Sequence, residues 1–211
     1  MSRSSGNVLE LFCPRYEIPT GSYDISSNKH TLTETAITWE SLPSGLSVPR
    51  FNDTTSVIVS TERSKLESMR SSFTWKVWAR PESCDASRRV AEITPHLLWI
   101  PSTTRFTITA EFAAVAKYAY SPIGSLVLNK WHLIFAMYNG ANMLIEVDGT
   151  LVTGDAAAGL ADVFSQDFHI GNRPLNDRAF DGLMNIEMWS RVLSAGERNN
   201  IFKEERTLFG V

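Results

Sequence analysis

Cysteine is almost absent: Cys13 and Cys84 are the only two in 211 residues, and they stand far apart. Disulfide-stapled secreted domains use cysteines in even sets at tight spacing, so two separate reduced thiols are expected, with a single Cys13–Cys84 disulfide as the alternative. Long apolar runs are missing as well, none approaching the ~18 residues of a helical membrane span, so no membrane insertion is expected. The start, Met1 to Gly6, has neither the apolar stretch nor the cleavage site of a secretory signal, and synthesis in a cytoplasm is the expectation. Positive charge is not in excess. The formal net charge is -3, which gives no broad basic field and makes nucleic acid an unexpected partner; the basic stretch from Arg63 to Arg89 reads as a solvated face. Internal repeats and low-complexity linkers are also lacking, so residues 1–211 are expected to form one domain, with residues 1–20 as an extended arm or an edge strand.

What is present is a core-forming chain, 43% hydrophobic and 20% charged. The first fifty residues, rich in Ser, Thr, Gly and Pro, read as extended segments and loops. Strand patterns then take over. In Ser72 to Arg80, Phe73, Trp75, Val77 and Ala79 share one face and Thr74, Lys76, Trp78 and Arg80 the other, with Pro81 ending the strand. Arg105 to Phe112 alternates likewise, aligning Phe106, Ile108, Ala110 and Phe112. From Trp131 to Val152, Asn139-Gly140 and Asp148-Gly149 supply the positive-φ positions of tight turns and predict a three-strand meander. Phe168 to Gly171 and Gly182 to Trp189 add two strands. One helix stands out, opened by Ser194-Ala195-Gly196-Glu197 in the spelling of a capping box, with Ile201 and Phe202 as apolar anchors. The sum predicts an all-β antiparallel sandwich with one short C-terminal helix.

The order of these pieces resembles laminin-G-like domains of bacterial and phage proteins. Asp24-Ile25-Ser26-Ser27-Asn28-Lys29-His30, Arg50-Phe51-Asn52-Asp53, the strand at Phe73 to Trp78, Lys130-Trp131-His132-Leu133, Val147-Asp148-Gly149, Phe180-Asp181-Gly182 and Arg191-Val192-Leu193-Ser194 carry the likeness across residues 22–202. The resemblance implies a concanavalin A-like jelly roll of roughly twelve to fourteen strands, and it leaves function open, because unrelated tasks share such scaffolds. Relatives that hold Ca²⁺ do so through Asp side chains and loop carbonyls. Here the corresponding candidates are Asp24, Asn28, Asp53 and Asp181, and Asn185 stands where an aspartate of the pattern would fall. The same residues also suit Asx turns, and no other cofactor is implied.

Glycoside hydrolases exist on this sandwich, and a retaining one needs two carboxylates about 5–5.5 Å apart. Glu146-Val147-Asp148 begins a suitable spelling, but no second glutamate follows to close it, and no catalytic residue is assigned. His30, His96, His132 and His169 are scattered without zinc-site spacing. Trp75, Trp131 and Trp189 read as core. Trp39, Trp78 and Trp99 are the contact candidates: Trp78 faces away from Trp75, while Trp39 and Trp99 lie in loop-like or Pro-flanked stretches. The expected function is non-catalytic binding or assembly. A protein partner or self-assembly, as in a phage or virus virion protein decorating a head or tail, is the first reading, and a carbohydrate-binding lectin, Ca²⁺-assisted or not, the alternative.

Overall fold

In a computed structural model, residues 7–12, 22–24, 26–52, 54–84, 87–101, 104–172 and 179–211 are described. In chain order the strands begin with β1 (Asn7–Phe12), β2 (Tyr23–Asp24), β3 (Thr33–Thr35), β4 (Thr38–Ser41), β5 (Ser47–Phe51) and β6 (Val57–Ser60). A 3₁₀ helix, Arg63–Arg70, leads to β7 (Phe73–Pro81), β8 (Arg88–Ile93), β9 (His96–Ile100), β10 (Thr107–Phe112) and β11 (Val115–Tyr120). The chain ends with β12 (His132–Tyr138), β13 (Asn142–Val147), β14 (Thr150–Ala156), β15 (Phe168–Ile170), β16 (Gly182–Trp189) and α1 (Ala195–Phe209).

Two antiparallel sheets result, so the chain is the all-β sandwich that its alternation predicts. The larger sheet has nine strands: β14-β13-β12-β7-β16-β1-β2 in order, with β5 also paired to β16 and β4 to β5. The smaller has seven, β11-β10-β9-β8-β15-β6-β3. The strands exceed the dozen or so implied by resemblance because β2, β3 and β4 are only two to four residues long. Strands that short leave no alternation to read in a Ser/Thr-rich stretch. Residues 7–12, within the segment read as an arm, pair with β16 and belong to the sheet. Cys84 is a free thiol at the margin of the core, and Cys13 lies outside the described residues.

The inward sets of both sheets meet as expected. Phe73, Trp75, Val77 and Ala79 are buried against Ile108, Ala110, Phe168 and Ile170, and Trp75 meets Phe168 edge-on with ring centroids 6.0 Å apart. One polar ring shares this core. His96 is wholly buried, its centroid 4.8 Å from Phe73 and 5.0 Å from Phe164, and neither ring nitrogen has a hydrogen-bond partner.

The outer face of the larger sheet is covered by α1. Ser194 caps the helix: its Oγ accepts the Glu197 N–H, the Glu197 carboxylate accepts the Ser194 N–H, and Gly210 closes the other end at φ 75°. Under the helix, Trp78, Leu133, Phe135, Leu183, Trp189 and Phe209 form a second apolar layer. Lys76 is buried among them. Its ammonium donates to Glu187 on β16 and to both oxygens of Glu205 on α1, which also accepts the Trp78 Nε1–H at 2.7 Å. Glu146 on β13 accepts from Arg198 of the helix at 2.8 Å. Sheet and helix are therefore joined by buried ion pairs as well as apolar contact.

Along one side the edge strands β11 and β14 lie against each other. A methyl group on Gly154 would overlap the Tyr118 carbonyl oxygen and stand 2.6 Å from Ala119 Cα, so only glycine allows this approach. The Tyr118 N–H donates to Asp155 at 3.0 Å across the same seam. Gly154→Val is expected to lower stability by about 1–3 kcal/mol through overpacking, read as a fall in Tm. An unchanged Tm would mean that the two edges can part freely.

Candidate functional site

The described residues among those singled out as metal ligands stand apart, Asp24 and Asn28 in one loop and Asp181 before β16. Asp24 and Asn28 share one turn, in which the Asp24 carboxylate accepts from the Ser26 N–H at 2.8 Å, the Ser26 Oγ at 2.9 Å and the His30 N–H at 2.7 Å. Asn28 Nδ2 donates to the Lys65 carbonyl at 3.0 Å. Asp181 precedes β16, and its carbonyl accepts the Glu82 N–H at 2.9 Å. Asp53 lies outside the described residues. Among the described residues no three His, Cys, Asp or Glu side chains gather as a metal site would require. The Asp24 contacts are those of an Asx turn, which orders a loop by satisfying its backbone donors.

The Glu146-Val147-Asp148 carboxylates are committed elsewhere. Glu146 holds Arg198, and Asp148 accepts from His132 Nδ1 at 2.7 Å and from the Leu133 N–H at 2.9 Å. Burial alone would lower the His132 pKa, but its bonds to Asp148 and to the Val127 backbone, with the Asp148 charge, together outweigh burial and raise it. The ring thereby ties the β13–β14 turn to the loop at Val127, as expected of a structural histidine.

The three candidate tryptophans separate. Trp78 is not a contact residue: at 1% exposure it stacks on Phe209 at 4.5 Å, because α1 returns over the face that the local pattern leaves open. Trp39 is half-buried on β4 opposite Pro49, beside a network in which Arg50 and Arg80 pair with Glu40 and Glu82. Trp99 is half-buried on β9, on the outer face of the smaller sheet.

That outer face gathers aromatics that no local window joins. In register, Tyr120 on β11 sits opposite Thr107, Thr107 opposite Trp99, and Trp99 opposite Arg89; the adjoining row runs Tyr118, Thr109, Leu97 and Glu92. The inward partners of these residues, Ile108, Ala110 and Ala119, are buried, so period two turns this set outward. Tyr118 and Tyr120 stand parallel, centroids 5.6 Å apart and planes 10° apart. The Arg105 guanidinium lies 4.4 Å from the centre of the Tyr120 ring, and Trp99 Nε1 reaches Thr109 Oγ1 at 3.4 Å. Tyr120 is 38% exposed, whereas Thr107 between the rings is closed over, its hydroxyl without a partner. Partial burial, reinforced by Tyr118 and Asp155 against the pull of Arg105, raises the Tyr120 pKa, so its phenol remains a proton donor at neutral pH. The face thus offers large rigid rings, hydroxyl donors and a guanidinium side by side.

A concavity of about 500 Å³ lies between α1 and the β12–β14 meander; Leu133, Phe135, Leu151 and Phe202 supply its apolar lining and Glu146, Asp148, Arg198 and Asn199 its polar side.

The profile of one family, described as the concanavalin A-like lectin/glucanases superfamily, matches residues 52–197. The chain belongs to this superfamily. Membership agrees with the jelly-roll architecture and with the resemblance visible in the sequence motifs. Compared by sequence with curated proteins, the chain matches none of them. Compared by fold, it is similar to the receptor binding domain of botulinum neurotoxin D at 10% identity and TM-score 0.76, covering 95% of this chain and 53% of that one. The botulinum neurotoxin DC binding domain in complex with SialylT matches at 14% identity and TM-score 0.66, with coverages of 95% and 52%. The same domain in complex with rat synaptotagmin II matches at 15% and 0.71, with coverages of 94% and 51%. The chain spans about half the length of these domains. At such identities the likeness is one of fold.

Proposed function

We propose that the chain is a non-catalytic recognition module that holds a carbohydrate on the outer face of its seven-stranded sheet. The observation that carries this reading is the outward set of Trp99, Tyr118 and Tyr120 on a sheet face that α1 leaves uncovered. Sugar rings present flat C–H faces that pack on aromatic rings, and their hydroxyls need nearby donors and acceptors; aromatic side chains supply rigid area at small entropic cost. That binding domains of this fold have been solved with SialylT and with rat synaptotagmin II supports a recognition role in general. A glycan array tests the proposal. Wild type is expected to bind a restricted set of glycans, and Trp99→Ala to weaken binding at least about tenfold, the scale of losing one anchoring aromatic, with an unchanged Tm. Silence across the array, or binding indifferent to Trp99→Ala, would sink it.

A second reading is assembly, as in a virion decoration or tail protein. It is favoured by exposed apolar residues at the β10–β11 turn and the loop after β14. Val115, Leu160 and Val163 are 53%, 59% and 61% exposed, and Asp162 ties the two segments together by accepting the Ala113 and Ala114 N–H groups. Apolar surface of this kind marks contact sites. Light scattering separates the readings: a stable oligomer that dissociates on Val163→Glu supports assembly, and a monomer at high concentration opposes it.

A further inference from the structure

We infer that the carbohydrate held on the open sheet face carries a carboxylate, and that Arg105 receives it; this rests on the glycan reading above. The charged groups of this face are unevenly matched. Arg89 is paired with Glu92, and Asp155 accepts the Tyr118 N–H. Arg105 has no carboxylate partner among the described residues; its recorded contact is with the Tyr120 ring, and its Nε is buried without a hydrogen-bond acceptor. Only Nε is closed off in this way; the rest of the half-buried guanidinium, held against Tyr120, is a positive group of this face that no carboxylate answers, and an anion from outside would complement it.

Position narrows the kind of anion. Arg105 lies at the Tyr120 end of the platform, just before β10, whereas Glu111 lies near the other end of that strand, opposite Ala116. Six residues of extended chain separate them by roughly 20 Å, so one end attracts a negative group and the other repels it. Between the two run the rings of Tyr120, Tyr118 and Trp99, suited to sugar faces. A ligand that matches both features has pyranose rings along the aromatics and a carboxylate at the Arg105 end. Arginine suits that task better than lysine, because its planar fork meets a carboxylate through two parallel hydrogen bonds. Contact with the Tyr120 ring, 4.4 Å from its centre, already holds the guanidinium in place, so less ordering is left to be done on binding.

The test uses matched probes that differ only at the carboxyl group: an oligogalacturonide against the same oligosaccharide after carboxyl reduction, and sialyllactose against its carboxyl-reduced form. Affinities are measured by titration calorimetry for wild type, Arg105→Gln, Arg105→Lys and Trp99→Ala, each checked for an unchanged Tm. Wild type is expected to bind the acidic member of at least one pair about tenfold more tightly, the scale of a charge-assisted hydrogen bond. Arg105→Gln should erase that preference, bringing the two members of the pair to within about twofold of each other, and Arg105→Lys should keep only part of it. Equal affinity for both members in wild type, or a preference that survives Arg105→Gln, would overturn the inference and leave the glycan reading standing. Binding of neither member of either pair, with the glycan array silent too, would remove the glycan reading and this inference with it.

Discussion

Replacing Lys76 with methionine is expected to lower the unfolding free energy by about 3 kcal/mol, the low end of the range for breaking a buried ion pair by removing one partner. The cause is the seating of α1. Lys76 is 1% exposed, and its ammonium is held by Glu187 from the sheet and Glu205 from the helix, at 15% and 22% exposure. Burial alone would lower its pKa; the two carboxylates outweigh burial and raise it, so the group is charged wherever the protein is folded. Methionine matches the stem but leaves two carboxylates facing each other in a half-dry seam, and Glu205 also orients Trp78. Because both carboxylates keep some water, the cost stays near the low end. The triple variant Lys76→Met, Glu187→Gln, Glu205→Gln should recover most of the loss, since no unpaired charge remains. Urea unfolding monitored by tryptophan fluorescence measures all three states. A single-variant cost under about 1 kcal/mol, the value of an exposed pair, would show that the helix is held by its apolar layer alone.

The second large effect belongs to His96. Burial, aided by nearby Arg70 and opposed by Asp162, pushes its pKa down to about 3, whereas in the unfolded chain it returns to 6.5. Between those values the unfolded state binds the additional proton. This contribution to stability is therefore full above pH 6.5 and is lost as pH falls toward 3, at about 1.4 kcal/mol per pH unit. From pH 7 to pH 5 the loss is about 2 kcal/mol. His96→Leu, of similar volume, removes the titration together with two unpartnered ring nitrogens, and should be at least as stable as wild type at pH 7. Urea midpoints from pH 5 to pH 7 should fall less steeply in the variant. Parallel curves would mean that water or a partner reaches the ring in the folded state.

Much of the fold is legible in the chain because its signals are local. Asn139-Gly140 and Asp148-Gly149 announce the β12–β14 meander, and Gly140, Asp148 and Gly149 do adopt φ of 86°, 50° and 83°. Ser194 and Glu197 announce the helix start and form the capping box. The helix anchors are only half legible: Ile201 packs against the apolar layer, but the buried side chains of the helix are Arg198 and Phe209, while Phe202 remains 36% exposed. The candidate site was legible in one residue. Trp99 stood out as a large ring between Pro95 and Pro101, yet those prolines hid that residues 96–100 form a strand. Tyr118 and Tyr120 are not legible as a set because β11 reads Val-Ala-Lys-Tyr-Ala-Tyr, where a lysine falls in the inward row and alanines in both, so no amphipathic contrast remains. What makes the three a site is the pairing of Tyr120 with Thr107 and of Thr107 with Trp99, a nonlocal register that no sequence window contains. Trp78 failed for the converse reason: the element that buries it follows more than a hundred residues later.

The central claim, that the outer face of the seven-stranded sheet is the recognition surface, is tested most directly by following the six tryptophan indole N–H resonances by NMR while adding the tightest-binding glycan from the array. Assignment by Trp99→Phe identifies the reporter. The account predicts that the Trp99 resonance shifts saturably while those of Trp75 and Trp78, buried in the two apolar layers, stay in place. Saturable binding that leaves Trp99 unmoved and shifts Trp78, beside the groove under α1, would contradict it.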